Sequence, residues 1–361
     1  MQANLKIRRF DPEQNGGKAW YQSYSVEVAD YGSVLDALLI VRDEIDGTLG
    51  VRCSCRSAIC GSCAMRINGH ARLACKTRVC HVAPKGEEIV VEPGGNLPVV
   101  KDLVVDMQPF WGKIRAVDPW LQPGPEKPQR ENLVPHERMA ALQQTMNCIM
   151  CGCCLMDCTS LQAQLNQGKP YAETFLGPAA LAKAQRFVGD PRDAATLQRL
   201  EELTQPTGIW ECTHCFECVE VCPKGVAPLE QITKLRKVAE ESGFTDHNGV
   251  RHSVAFAQSV EHGGLLDEGY LARKSVTFGE LFTMIPGALR MWWAGKMPPL
   301  FHKPIPGVEH VQRIFKAIQA EGKTTVEAPQ KSTAELKAEV ELRPATAASP
   351  RAQLTGEKRI T

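Results

Sequence analysis

The sequence predicts an α+β protein built as two successive modules, a strand-rich one over about the first 110 residues and an all-helical one after it. Three observations carry this expectation. Period-two alternation of apolar and polar residues occupies 4–10 and 22–28, and the β-branched run at 87–92 reads as a further strand. Apolar residues recur at helical spacing from about 135 to 241. The 15 cysteines gather mainly into one group in the strand-rich part and two in the helical part.

In chain order, residues 4–10 and 22–28 read as strands separated by a turn region at Asn15, Gly16 and Gly17. Ser33 followed by Asp36 signals a capping box, opening a helix that runs to about Ile45 with Leu35, Leu38, Leu39 and Val41 as its buried residues. Asn68–Gly69 fits a hairpin turn between MRIN and ARLAC, and 87–92 is a further strand ended by Pro93–Gly94–Gly95. The module closes near Asp106, with Trp111 and Trp120 expected as buried anchors of the exit segment.

The first cysteine group, Cys55, Cys60, Cys63 and Cys75, has the spacing C-x4-C-x2-C-x11-C, close to the plant-type pattern that holds a [2Fe–2S] centre. Ser57, Ala58, Gly61 and Ser62 permit a tight loop whose amides can point at the sulfurs. Cys53 and Cys80 fall outside the spacing and read as free or packing thiols, although Cys53 lies near enough to compete.

Residues 148–158 and 212–222, CIMCGCCLMDC and CTHCFECVEVC, each contain C-x2-C-x2-C-x3-C. This spacing holds cubane clusters in bacterial-type ferredoxins, where the fourth cysteine of each run serves the other run's cluster. Crossing the ligands groups Cys148, Cys151, Cys154 with Cys222, and Cys212, Cys215, Cys218 with Cys158. Structural Cys₄ zinc sites use similar short spacings, but zinc knuckles seldom interleave two four-cysteine runs, so iron–sulfur chemistry is the better reading.

Between the modules, residues 119–136 carry prolines at 119, 123, 125, 128 and 135, which predicts an extended crossing. Helices follow from about Pro135 to the first cysteine run, with Met139, Leu142 and Met146 as packing residues, and over 178–188, 192–204, 228–241 and 250–262. His252 and His262 lack nearby ligand partners and read as solvated or partner-facing. Residues 278–301 are rich in large apolar side chains, and Trp292 and Trp293 beside basic residues suit subunit or membrane-edge docking. Pro286 and Pro298–Pro299 argue there against a long helix. The resulting division is 1–110, a linker at 111–134, a helical module at 135–245, a docking extension at 246–320, and a disordered or extended tail at 321–361.

A net charge of +1 gives no reason to expect a nucleic-acid partner. Cysteines grouped by ligand spacing point to a reducing compartment rather than a disulfide scaffold. The opening MQANLKIRRF predicts no secretory signal, and no apolar run approaches the roughly 18 residues of a spanning helix. Neither a Rossmann fingerprint nor a P-loop is present, so nothing marks a substrate-converting site. The clusters instead describe a wire for single electrons. Arg52, Arg56, Arg66, Arg72, Lys76 and Arg78 put a positive rim around the first group, which can dock an acidic partner, raise a cluster potential or simply face solvent.

The Cys55–Cys75 segment followed by NCIMCGCC and CVEVCPKG resembles the iron–sulfur subunit of succinate dehydrogenase and fumarate reductase complexes over about residues 1–245. The resemblance implies a β-grasp [2Fe–2S] ferredoxin domain and then an α-helical two-cluster ferredoxin domain. It implies an FAD-containing partner that interconverts succinate and fumarate, a membrane anchor subunit handling quinone, and a peripheral position at the cytoplasmic face of the cell membrane. Carried over, Cys55, Cys60, Cys63 and Cys75 hold [2Fe–2S] nearest the flavin, and Cys148, Cys151, Cys154 and Cys222 hold the middle [4Fe–4S]. Cys158, Cys212 and Cys218 hold the last cluster, [3Fe–4S] in most of the family, and Cys153 matches a frequent non-ligating cysteine.

Three departures stand out. Cys215 supplies a thiolate that a three-iron site lacks, so its spacing favours a second [4Fe–4S] and suits an atypical, heterodisulfide-reductase-like partner. Thr213 follows Cys212 where quinone-reactive members carry His, and Thr159–Ala163 lacks the Pro and Trp that line their quinone pocket. The same wire run in reverse is a quinol:fumarate reductase, and sequence does not set the direction.

Overall fold

The computed structural model describes residues 1–125, 129–297 and 302–322. The chain forms two units, one over Met1–Arg236 and another beginning at Lys237.

In the first unit, β1 (Gln2–Arg9) and β2 (Trp20–Glu27) are an antiparallel pair. Helix α1 (Val34–Ile40) starts at the expected capping box, since Ser33 Oγ accepts the Asp36 amide while the Asp36 carboxylate accepts the Ser33 amide. It continues as a wider turn over Val41–Ile45. The hairpin β3 (Ala64–Ile67) and β4 (His70–Leu73) turns at Asn68 and Gly69, both with positive φ, as a tight primed turn requires. After the short helix α2 (Val79–Val82), β5 (Glu88–Glu92) completes a five-stranded sheet in the order β2-β1-β5-β3-β4, with β5 parallel to β1. Ala3, Leu5, Ile7, Ile67, Ile89 and Val91 are buried, as are Val34, Leu35, Ala37 and Leu38 of α1. This is the β-grasp arrangement. A small ribbon, β6 (Val99–Lys101) with β7 (Val104–Val105), is held at its turn by Asp102, whose carboxylate receives Arg9 Nε and the amides of Phe10 and Gly50.

An unforeseen helix, α3 (Gln108–Arg115), leads out of the sheet. The buried aromatic there is Phe110, not the expected tryptophans: Trp111 is 36% and Trp120 50% exposed. Successive helical residues face different ways, so Phe110 enters the core while Trp111 meets its ring edge-on at 5.1 Å. Lys113 of α3 is buried and donates to the Tyr171, Thr174 and Phe175 carbonyls and to Thr174 Oγ1.

The linker is strapped down by Arg199, which donates to the carbonyls of Val117, Asp118 and Trp120 while paired with Asp193 at 2.9 Å. Pro128 lies outside the described residues. The helical part comprises α4 (His136–Met146), α5 (Cys153–Met156), α6 (Thr159–Asn166), α7 (Pro178–Val188), α8 (Thr196–Leu203), α9 (Glu217–Glu220) and α10 (Pro228–Glu241). Helix α8 begins four residues later than 192, because Asp190 and Asp193 accept the Arg192 and Ala195 amides and make a turn there. On α4, Leu142 is buried but Met146 is 44% exposed, so the helical spacing overstated that stripe.

The second unit contains α11 (Asn248–Gly263), α12 (Glu268–Ser275), α13 (Phe278–Trp293) and α14 (Val308–Gly322). His252 and His262 are exposed on α11. Helix α13 runs through Pro286, against expectation: proline's φ suits a helix, and the loss is one amide hydrogen bond in an exposed segment. Pro298, Pro299 and the tail from 323 lie outside the described residues.

Candidate functional site

The first cysteine loop is shaped by left-handed backbone at Arg56, Ala58 and Gly61, with φ of 54°, 55° and 74°. These turns aim amides inward. Ser57, Ile59 and Cys60 each donate to Cys55 Sγ at 3.3 Å, and Ala58 donates to Cys75 Sγ at 3.3 Å. Cys60 Sγ receives the Cys55 amide at 3.5 Å. Its thiol is held down to about 6, first by the Ser62 hydroxyl and then by backbone donors, whereas burial pushes Cys63 up to about 12. Cys75 returns to the loop on the strand β4 side of the hairpin.

The two later runs repeat each other in backbone as well as spacing. Two and four residues after the first cysteine, φ is positive in both: Met150 and Gly152 at 57° and 80°, His214 and Phe216 at 56° and 66°. Burial raises the Cys148 and Cys212 thiols, and the Met150 and His214 amides oppose that rise. Gly152 and Phe216 each stand immediately before a one-turn helix, α5 or α9, that carries the third cysteine. A bulky residue in left-handed backbone is uncommon and marks a functional turn.

The runs interleave in space. Cys148, Cys151, Cys154 and Cys222 line one pocket, with Ala179, Ala182 and Pro223 among its apolar walls. Burial, followed by the neighbouring charges of Cys151, Cys148, Cys218 and Cys222, raises the Cys154 thiol. In the other set, burial and then Cys212, Cys215 and Cys158 drive the Cys218 thiol up to about 12, while burial raises Cys158 to about 11. Each group thus places several sulfurs where they oppose one another's ionisation, and a cationic core of soft metal relieves that opposition. The donor chemistry fits iron–sulfur groups. Among the described residues, no three His, Cys, Asp or Glu side chains converge on the position of a single ion.

Cys153, fully buried, gives its thiol to Cys151 Sγ, a contact that leads the lowering of Cys151 to about 7 and keeps Cys153 protonated. Cys53 and Cys80 are half-buried thiols.

Non-local contacts missed in sequence bring the Cys55–Cys63 loop against the 148–158 run. A Cβ on Gly61 would stand 2.6 Å from Cys151 Cα, so only glycine permits this approach. Arg66 Nε reaches Asp157 Oδ1 at 2.8 Å, Asn96 Nδ2 donates to the carbonyls of Leu155, Met156 and Cys158, and Lys76 Nζ donates to Pro223 O at 3.0 Å. Arg66 therefore leaves the positive rim expected around the first group.

Near the last group, Arg236 donates to the Ile209 and Cys212 carbonyls, meets His214 Nε2 at 2.8 Å, and lies 5.2 Å over the Trp210 ring. Ser160 Oγ donates to Glu211 O and Gln164 Nε2 to the Glu211 carboxylate, so residues on α6 tie the end of the first run to the start of the second.

The family model for a 2Fe-2S iron-sulfur cluster binding domain matches residues 4–112, and that for a 4Fe-4S dicluster domain matches 144–226. The mitochondrial succinate dehydrogenase [ubiquinone] iron-sulfur subunit 1 of Oryza sativa subsp. japonica is 36% identical over 246 residues, which is 66% of this chain and 84% of that protein. Among solved structures, a chain of the Mycobacterium smegmatis Sdh1 complex in the apo form aligns with a TM-score of 0.61 and 26% identity, over 68% of this chain and 98% of that one.

Proposed function

Because this chain belongs to the iron–sulfur subunit family of succinate dehydrogenases and fumarate reductases, an electron-carrying part of a larger oxidoreductase complex, we propose that it links an FAD subunit oxidising succinate to fumarate with membrane quinone through three clusters. It has no substrate-converting site of its own. Cys55, Cys60, Cys63 and Cys75 would hold [2Fe–2S], Cys148, Cys151, Cys154 and Cys222 a [4Fe–4S], and Cys158, Cys212, Cys215 and Cys218 a second [4Fe–4S]. Iron–sulfur groups supply one-electron redox chemistry, matching a two-electron flavin to a quinone.

The observation that carries the reading is the close approach of Gly61 to Cys151, which sets the first cysteine loop directly against the second. The chain's amides stabilise sulfur charge, and apolar side chains wall the pocket of Cys148, Cys151, Cys154 and Cys222. Cys215 also supports a departure from the family's three-iron norm, since its charge acts on both Cys158 and Cys218.

The test is EPR of anaerobically prepared protein with iron and sulfide analysis, alongside succinate-driven reduction of a quinone analogue by the assembled complex. Three reducible centres with no three-iron signal on oxidation are expected. Fewer than three centres removes the relay, and a complex that oxidises succinate without reducing quinone removes the quinone end.

A further inference from the structure

Helix α13 lies outside the cysteine-bearing modules and has no role in holding clusters. Its sequence from Phe278 to Trp293 has only two charged residues, Glu280 and Arg290. Leu281, Ile285, Leu289 and Trp292 fall on one side at helical spacing and Trp293 adjoins them, while Glu280, Thr283, Gly287 and Arg290 form a narrow polar strip opposite. Ile285 is 48%, Leu289 54%, Trp292 67% and Trp293 83% exposed, so this side is not buried within its own unit.

Sixteen residues make about 24 Å of helix, short of the roughly 30 Å hydrocarbon thickness of a bilayer. Among the described residues, no helix is long and apolar enough to cross a membrane. The composition is too apolar for an ordinary solvated helix and the length too small for a span. A helix lying in the plane of a bilayer surface satisfies both, with the apolar side among acyl chains and the polar strip among headgroups.

Charge selects the kind of surface. From Leu271 to Pro304 the sequence has five basic residues, Arg273, Lys274, Arg290, Lys296 and Lys303, against one acidic residue, Glu280, in a chain whose net charge is only +1. The Glu280 carboxylate is engaged by the Thr277 amide and hydroxyl in a capping box and by Asn248 Nδ2. Lys274, Arg290, Lys296 and Lys303 are exposed. Paired indoles at the end of the helix, beside Arg290 and Lys296, have the amphipathic character that settles at headgroup level.

We propose that α13 is an in-plane lipid-binding helix through which this chain itself docks on an anionic phospholipid surface. The proposal is independent of the electron-relay reading, because it uses none of the cysteine groups.

The experiment uses the full, cluster-loaded chain with vesicles of phosphatidylcholine alone or mixed with phosphatidylglycerol, read by cosedimentation. Binding to the anionic vesicles should exceed that to neutral ones at least tenfold. Leu289→Glu with Trp292→Glu should abolish it, and Arg290→Glu with Lys296→Glu should remove the anionic preference, each with unchanged far-ultraviolet dichroism and visible cluster spectrum. Brominated acyl chains should quench wild-type fluorescence, and Trp292→Phe with Trp293→Phe should remove the quenched part while retaining binding. Failure to bind anionic vesicles, binding that survives the paired glutamates, or membrane binding that needs a second protein would each overturn the proposal; the last would make this side a protein interface.

Discussion

Arg66 on strand β3 and Asp157, immediately before Cys158, form an ion pair 2.8 Å long across 91 residues of sequence. Arg66 also donates to Met156 O, and the second Asp157 oxygen accepts the Ala71 amide of β4. One carboxylate thus fastens the β-hairpin of the first module to the last turn of the first C-x2-C-x2-C-x3-C run. Arg66→Ala leaves a buried carboxylate short of its cation and should cost about 3 kcal/mol. Asp157→Ala leaves the Ala71 amide unmet and should cost about 2 kcal/mol. Thermal unfolding of both singles and the double variant checks the coupling, and simple additivity would dissolve the clamp.

Gly61→Ala strains the loop twice. The φ of 74° disfavours alanine by about 1–2 kcal/mol, and its methyl would meet Cys151 backbone. The expected result is a lower melting temperature and weaker magnetic interaction between the first two centres, while the four cysteines of each group still hold their iron. EPR of the fully reduced protein reads that interaction directly. An unchanged spectrum and melting curve would show that the two loops separate without consequence.

The capping box at Ser33, the hairpin turn at Asn68–Gly69 and helices over 178–188 and 228–241 were legible because local rules determine them. The grouping of cysteines was also visible, since ligand spacing is itself a local pattern. The joint between the modules was not: Gly61 against Cys151, Asn96 on three carbonyls and Arg66 on Asp157 pair residues more than fifty positions apart, and no periodicity announces such partners. Trp111 and Trp120 were misjudged for a related reason. Size made them look like core, but the turn of α3 gives the interior to Phe110.

Asp190 makes stability depend on pH. Its buried carboxylate is held well below the usual range, first by Arg192 and then by Arg186. A carboxylate with a depressed native value contributes its stability above the unfolded value of about 4 and loses it as pH falls through the native one. Asp190→Asn should therefore cost roughly 2 kcal/mol near pH 7. The gap to wild type should narrow steadily below about pH 4. Paired melting curves across that range decide it; a gap of constant size would assign the effect to packing instead.

Arg236 should govern how firmly the last cysteine group is held. Its guanidinium ties the Ile209 and Cys212 carbonyls together beneath Trp210. Methionine matches the length but donates nothing, leaving these carbonyls without charge-assisted bonds of about 1.5–3 kcal/mol. Iron and sulfide content of Arg236→Met should fall by an amount confined to the Cys212 run, with the [2Fe–2S] spectrum intact. Arg236→Lys should recover part of the loss, because one ammonium can reach a carbonyl but cannot reproduce the planar fork.

Cys215 gives the sharpest distinction between family norm and local spacing. It stands between His214 and Phe216, whose left-handed backbone repeats that of Met150 and Gly152 around Cys151, so the second run offers its second cysteine just as the first does. Cys215 is the exposed member of its group, whereas Cys158 and Cys218 are buried. A four-iron core needs a protein donor at each corner, and the corner nearest solvent is the one most readily lost. Cys215→Ala should release about one iron per chain and produce a three-iron EPR signal on oxidation, while Cys153→Ala, which removes a thiol outside the four-cysteine spacing, should not. If wild type already shows the three-iron signal at full strength and Cys215→Ala leaves it unchanged, the extra thiolate is not a ligand.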